Sequence, residues 1–132
     1  MRAALALAAA LAGLTLLSAA GASVGPTRLT ITFWLDEAVP EDSQTWTLRC
    51  SPPGGTLPKP ARACRRLARL GRAAFAPVPA HAACTDIYGG PQLALVRGLV
   101  DGRRVWALLR RRNGCEIARW DRLSPWLLPR AT

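Results

Sequence analysis

The sequence predicts a small α+β domain whose fold is reinforced by disulfide bonds. Three observations favour this class: segments of alternating polar and apolar residues typical of strands, two stretches with helical periodicity, and four cysteines behind an apparent export signal. Without that signal, the remainder of the 132 residues is enough for one compact core and too little for two. We therefore expect a single domain.

The first 22 residues have the pattern of a secretory signal peptide. Arg2 is followed by an Ala/Leu stretch over residues 3–17 and by small residues that end in an A-x-A-like site at Ala22. The apolar stretch is too short to span a bilayer comfortably, which disfavours an uncleaved anchor. We expect residues 1–22 to be removed and residues 23–132 to form a secreted domain without stable membrane insertion.

Two strands are predicted at the start of the mature chain. Residues 27–35 alternate and are rich in β-branched and aromatic side chains, which is typical of a half-buried strand. An acidic, proline-containing turn over residues 36–42 follows, and the alternation resumes in residues 43–50. We expect these two strands to pair.

A helix is predicted after a segment that excludes regular structure. Residues 51–60 contain four prolines and two glycines. Pro60 is a favourable first helical residue and Gly71 a favourable stop. The side chains expected to face the core are those of Cys64, Leu67 and Ala68.

The second half of the chain predicts a β-hairpin. Residues 92–100 and 103–111 are apolar, strand-like runs, and Asp101 and Gly102 between them suit a two-residue turn with positive φ. The side chains expected to face the core from this hairpin are those of Trp106 and Leu108.

The end of the chain predicts one more helix and one more strand. Residues 116–123 form the short helix, which follows an exposed Arg-Arg-Asn-Gly turn, and residues 125–128 add a last edge strand. Residues 71–83, by contrast, are rich in Ala and Pro without clear periodicity, so no regular element is predicted there.

The four cysteines, Cys50, Cys64, Cys84 and Cys115, are expected to form disulfides because exported chains oxidise. Three pairings are possible, and the spacing only favours pairing neighbours along the chain. A zinc site is the alternative, but the sequence has no C-x-x-C pair and a single histidine, His81. We expect no metal and no cofactor.

The formal charge of +10 raises the question of an anionic partner. All 18 basic residues except Lys59 are arginines, as in proteins from GC-rich genomes, and few aromatic residues are present to stack bases. We therefore expect no nucleic-acid partner. An arginine stripe on the first helix leaves one such function open, that of a secreted basic module that binds anionic cell-envelope polymer. The stripe consists of Arg62, Arg65, Arg66 and Arg69.

The sequence does not favour an enzyme. A hydrolase needs a nucleophile beside an oriented base, whereas His81 lies in a proline-flanked loop and neither G-x-S-x-G nor H-E-x-x-H occurs. The acids of the first turn lack the spacing of a calcium-binding loop, so a polar turn is the better interpretation. These acids are Asp36, Glu37, Glu41 and Asp42.

From about Leu29 to Trp126, the sequence resembles the Streptomyces subtilisin inhibitor family of secreted bacterial protease inhibitors. The resemblance rests on four cysteines at nearly the family's spacings, each in a family-like context. The matching segments are Thr45–Cys50, the Pro-Gly-Gly-Thr that follows, Pro60–Cys64, Cys84–Tyr88 with Pro91, Gly102–Val105 and Asn113–Cys115.

This resemblance implies a fold, a disulfide pairing and an assembly. The fold is a five-stranded antiparallel sheet with two helices. The implied disulfides join Cys50 to Cys64 and Cys84 to Cys115. Because family members commonly form sheet-to-sheet homodimers, we expect a homodimer here as well.

The resemblance also implies a reactive loop that inhibits an extracellular serine protease. In the family, the bond offered to the protease lies two and three residues after the third cysteine, which here places it between Asp86 and Ile87. The residues expected to contact the protease around this bond are Ala83, Cys84, Thr85 and Tyr88.

Departures from the family pattern bear on the target and on the rigidity of the loop, where Thr85 replaces a proline found in some members. Asp86 would carry a carboxylate into the protease's primary pocket, which favours an acid-tolerant subtilisin-like or trypsin-like protease. Gly89 and Gly90 add about one residue after the bond, and we expect them to make the loop more flexible.

Overall fold

The chain forms an antiparallel sheet covered on one face by helices, in a computed structural model that describes residues 24–131. The predicted signal peptide, residues 1–22, lies outside the described residues. Within them, no helix is long and apolar enough to cross a membrane. The elements in chain order are β1 (Thr27–Trp34), β2 (Ser43–Cys50), α1 (Pro60–Leu70), a 3₁₀ turn (Gly71–Phe75), β3 (Leu93–Val100), β4 (Arg103–Leu109) and α2 (Gly114–Leu123).

The sheet has the strand order β2-β1-β3-β4, and every neighbouring pair is antiparallel. The predicted pairing of β1 with β2 is confirmed, and so is the β3–β4 hairpin. Asp101 and Gly102 form its turn with φ of 51° and 74°, the positive values that such a turn requires. β1 therefore lies between a strand that precedes the helices and a strand that follows them.

The predicted fifth strand is wrong. Residues 125–128 instead continue as turns from the end of α2, where the N–H groups of Leu127 and Leu128 both donate to the Leu123 carbonyl at 2.9 and 3.1 Å. Trp126, Leu127 and Leu128 are all buried. An edge strand alternates its side chains between two faces, so three consecutive buried residues are better accommodated by a turn that closes the core.

The predicted inward face of β4 is also wrong. Val105, Ala107 and Leu109 are the buried residues, whereas Trp106 is 70% exposed. A step of one residue in the alternation exchanges the two faces of a strand. Here the hairpin pairs Val105 with Gly98 of β3, and this places Trp106 on the outer face.

The helix α1 begins at Pro60 and ends before Gly71, as predicted. Its buried residues are Ala63 and Leu67, and the half-buried Cys64 packs against the core as predicted, whereas Ala68 is exposed, contrary to prediction. The segment expected to lack regular structure begins with the 3₁₀ turn, which buries Ala74 and Phe75 against the core.

The structure contains two disulfide bonds, Cys50–Cys64 and Cys84–Cys115, the pairing that the family resemblance implies. The first joins the end of β2 to α1. The second joins the segment before β3 to the first turn of α2. The first bond therefore fastens α1 to the sheet, and the second fastens α2 to a segment that belongs to no strand.

Candidate functional site

Two large, exposed side chains lie next to each other on one loop outside the sheet. Residues 84–89, which we call the exposed loop, form neither helix nor strand and precede β3. Ile87 and Tyr88 are 61% and 65% exposed, and Asp86 beside them is exposed as well. Large apolar side chains held in water at adjacent positions indicate a contact surface.

The disulfide Cys84–Cys115 anchors the first end of the exposed loop. Directly after it, the Gly114 N–H donates to the Thr85 carbonyl at 3.0 Å. A Cβ on Gly114 would collide with the Thr85 hydroxyl, so the close approach requires glycine here. Ala83, just before the anchor, is exposed.

A second pair of bonds anchors the other end of the exposed loop. The Gly89 N–H donates to the Arg111 carbonyl at 2.7 Å, and the Arg111 Nε donates to the Gly89 carbonyl at 3.0 Å. A Cβ on Gly89 would lie 2.7 Å from Cγ1 of Ile117 on α2. Gly89 thus serves close packing against α2, rather than the flexibility that the sequence led us to expect.

The acidic turn supports the chain just beyond the exposed loop. The Glu37 N–H donates to the Pro91 carbonyl at 2.9 Å, and the Glu37 carboxylate pairs with Arg112 at 2.6 Å and Arg110 at 3.2 Å. The hydrogen bond from Arg112 lowers the pKa of Glu37, while partial burial opposes that shift. The same contact raises the pKa of Arg112.

The start of α2 is a capped helix end that carries both anchors. The Asn113 side chain accepts a hydrogen bond from the Glu116 N–H at 3.0 Å, and the Glu116 carboxylate accepts one from the Arg112 N–H at 3.3 Å. This arrangement differs from a capping box only in that Glu116 accepts from the residue before the N-cap and not from the N-cap itself. The sequence carried its signal, Asn113 three residues before Glu116, but our prediction started the helix at Glu116 and left these residues in an exposed turn.

Between its two anchors, the exposed loop leaves main-chain groups unpaired. Asp86, Ile87 and Tyr88 form no hydrogen bond with any residue that the structure describes. An extended segment with free N–H and C=O groups can pair with the main chain of a binding partner. In residues 24–131, no cluster of three His, Cys, Asp or Glu side chains is placed to hold a metal ion.

The exposed loop is therefore fixed at both ends and free in the middle, on an α+β scaffold. The chain belongs to the subtilisin inhibitor-like family, whose model matches residues 25–109, nearly two thirds of the chain. A search of curated proteins found no match. The family match confirms the resemblance read from the sequence and indicates a protease inhibitor. It includes Asp86 and Ile87 but ends before Cys115.

Proposed function

We propose that the protein is a secreted inhibitor of serine proteases that presents the exposed loop as a substrate, with the bond between Asp86 and Ile87 in the protease's active site. The observation that carries this proposal is the free main chain of three residues between two anchors. The family match supports the class of target. The leader pattern of residues 1–22 supports export.

Prior fixation of the exposed loop explains tight binding. A protease binds an extended substrate through main-chain hydrogen bonds, and a flexible peptide loses conformational entropy when it adopts that form. Here the disulfide at Cys84 and the bonds at Thr85 and Gly89 have already restricted the loop. Ile87 and Tyr88 add exposed apolar surface that the protease can cover.

The same fixation explains why cleavage does not release the inhibitor. The catalytic serine of the protease attacks the Asp86 carbonyl carbon, the C–N bond to Ile87 breaks, and the Ile87 nitrogen takes up a proton as an amine. Gly89 remains bonded to Arg111, so the new amine stays beside the acyl-enzyme. Its high effective concentration favours re-formation of the peptide bond over hydrolysis by water.

Asp86 determines the class of target. Its side chain is exposed and pairs with no cation of the described chain, so its carboxylate must find its partners in the protease. An apolar pocket would desolvate this carboxylate at a cost of several kcal/mol, and about 4 kcal/mol corresponds to about a thousandfold in affinity. The target is therefore a serine protease whose primary pocket is basic or otherwise accepts an acid.

Titration of the purified mature protein against subtilisin and a glutamate-specific serine protease tests this function. We expect stronger inhibition of the glutamate-specific enzyme. The Asp86→Met variant should reverse the preference and improve subtilisin inhibition by about a thousandfold. Mass spectrometry should locate any nick between Asp86 and Ile87. Unchanged subtilisin inhibition in Asp86→Met would show that this side chain does not enter the pocket.

The outer face of the sheet supports a homodimer. The register places a partly apolar surface there, because Leu95 lies opposite Leu108 and Arg97 opposite Trp106. Sedimentation should give twice the chain mass, and Trp106→Arg should give the monomer. Ile87→Arg is the matched control, since it places the same charge at an equally exposed apolar position on the exposed loop. A monomeric wild-type protein would contradict the dimer.

A second candidate function uses the arginine stripe of α1. Its four arginines are exposed and pair with no acid in residues 24–131, so the helix presents an uncompensated positive face. Such a face binds polyanions by releasing counterions. Salt-sensitive binding to anionic cell-envelope polymer, together with no inhibition across a protease panel, would favour this function over the first. The stripe consists of Arg62, Arg65, Arg66 and Arg69.

A further inference from the structure

We infer that Arg111 is a positioning residue for the bond between Asp86 and Ile87: it holds the segment after the bond, and so keeps the cut and uncut forms in balance. This inference rests on the proposed function and deepens it. It assigns this role to one arginine of a chain that has many, and the sequence alone does not distinguish it from the others.

The geometry joins Arg111 to Gly89 twice. The Arg111 carbonyl accepts from the Gly89 N–H at 2.7 Å, and its Nε donates to the Gly89 carbonyl at 3.0 Å. Two bonds to one residue fix orientation as well as distance, and the guanidinium bond is charge-assisted. Gly89 is two residues after Ile87, so this contact determines where the Ile87 nitrogen lies after cleavage.

The Arg111 side chain is itself held in place. It is only 12% exposed, its Nη1 donates to the Asp121 carboxylate at 3.4 Å, and its guanidinium carbon lies 5.9 Å from the ring centre of Trp120. Trp120 is fully buried, so the ring gives the cation a fixed surface. A lysine cannot reproduce this planar, multiply bonded contact.

The residues next to Arg111 bind elsewhere. Arg110 and Arg112 both pair with Glu37, which holds the chain beyond the exposed loop through Pro91. Of three consecutive arginines, therefore, Arg111 alone donates to the exposed loop in the part of the chain that the structure describes.

Both sides of the scissile bond are fastened to one short segment. Gly114 and Cys115 hold the side before the bond, and Arg111 holds the side after it. The capped start of α2 keeps this segment rigid. Hydrolysis adds water across the C–N bond and leaves a carboxylate on Asp86 and an ammonium on Ile87. Resynthesis expels that water, and the two anchors favour it by keeping the new ends together.

Three variants test the role of Arg111. Arg111→Met removes the donor, Arg111→Lys keeps a charge without the planar fork, and Arg122→Met is the matched control. Arg122 lies on α2 and, like Arg111, donates to a main-chain carbonyl, here that of Ala73, away from the exposed loop. Two quantities are measured: amide hydrogen exchange in the free protein, and the equilibrium ratio of cut to uncut inhibitor with a catalytic amount of the glutamate-specific serine protease.

We expect both Arg111 variants to raise amide exchange at Gly89 and the cut-to-uncut ratio by about tenfold. This is the effect of losing the charge-assisted hydrogen bond from the Arg111 Nε to the Gly89 carbonyl. Arg122→Met should match the wild type in both. Unchanged exchange and an unchanged ratio in Arg111→Met would overturn the inference. So would an exchange increase that extends equally through β3 and β4, because that is the result of general destabilisation.

The proposed function fails separately from this inference. A wild-type protein that is neither cut between Asp86 and Ile87 nor inhibitory would refute the function. Hydrogen exchange at Gly89 needs no protease, so it would still decide whether Arg111 holds the segment. A wild-type exchange rate at Gly89 in Arg111→Met would then refute the positioning role of Arg111 as well.

Discussion

Two irregular segments lie beside a disulfide, and they differ in how they bond to the rest of the chain. Residues 51–58, which we call the bound segment, lie between Cys50 and Cys64 and follow β2 closely. The main chains of Arg49 and Gly54 exchange two hydrogen bonds of 2.9 Å, and the Leu57 N–H donates to Thr47 at 3.0 Å.

The exposed loop is instead fastened only at its ends. Thr85 and Gly89 are bonded to the segment before α2, whereas Asp86, Ile87 and Tyr88 present their main chain to solvent. The comparison teaches that a neighbouring disulfide does not by itself leave a segment free for contact with another molecule. What distinguishes it is a short stretch left unpaired between two rigid supports.

Removal of each disulfide in turn should show the difference between the bound segment and the exposed loop most clearly. The double variant Cys84→Ser/Cys115→Ser should lose about 3 to 4 kcal/mol of unfolding free energy and most of its inhibition. Cys50→Ser/Cys64→Ser should lose about 3 kcal/mol, since its closed loop is shorter, yet inhibit normally once folded. Urea unfolding and protease titration measure the two effects. Equal loss of inhibition in both variants would abolish the distinction.

Truncation of one side chain in each segment should have opposite effects. Leu57 of the bound segment is buried, so Leu57→Ala should cost about 2 to 3 kcal/mol of stability and leave inhibition intact. Tyr88→Ala should change stability by less than about 0.5 kcal/mol and weaken inhibition, because Tyr88 contacts solvent in the free protein. Urea unfolding and inhibition constants report both. A stable Leu57→Ala protein would show that the bound segment does not contribute to the core.

Glycine substitutions should sharpen the contrast. Gly55 has φ of 105°, and a Cβ there would collide with the Thr47 carbonyl, so Gly55→Ala should cost about 1 to 2 kcal/mol of stability without affecting inhibition. Gly89→Ala should affect inhibition more than stability, because the Ile117 side chain can move aside while the exposed loop shifts. Gly55→Ala should therefore have the lower melting temperature of the two variants, and Gly89→Ala the weaker inhibition. If one variant were worse in both measurements, the contrast between the two segments would be contradicted.

The smallest expected effect is on the pH dependence of stability, and it concerns Glu37, which supports the chain beyond the exposed loop. The folded-state pKa of Glu37 is lowered, chiefly by the hydrogen bond from Arg112. Its contribution to stability is therefore present above the unfolded pKa and is lost as the pH falls through the folded one. The melting temperatures of wild type and Glu37→Gln should differ at neutral pH and converge in acid. Glu41→Gln, at an exposed acid of the same turn, is the control and should not show this convergence.

Local signals in the sequence predicted the elements that local physics determines. Pro60 and Gly71 bracket α1 as expected, and the positive-φ turn at Asp101 and Gly102 forms the hairpin. The face of Trp106 was mispredicted because side-chain size favours burial, while the strand register, a tertiary property, decides it. The prediction of an edge strand after α2 was wrong for a related reason, because three adjacent apolar residues fit both a strand and a buried turn.

The sequence predicts a place for the candidate site but not the contacts that support it. The family resemblance predicts a reactive bond between Asp86 and Ile87, two and three residues after Cys84, and the structure exposes these residues. Nothing in the run Arg110–Arg112 distinguishes the arginine that contacts the exposed loop from its neighbours, because the difference arises when α2 packs beside the loop. The glycine at position 89 likewise looked like a flexible residue until its neighbour Ile117 was known.

The strand order β2-β1-β3-β4 has a consequence for chain connectivity. The bond between Asp86 and Ile87 divides the chain into one part with β1 and β2 and another with β3 and β4, and the full-length pairing of β1 with β3 crosses that division at the centre of the sheet. Two separately produced polypeptides that end and begin at this bond should therefore assemble by fragment complementation. The position is also a natural site for new termini in a circular permutant.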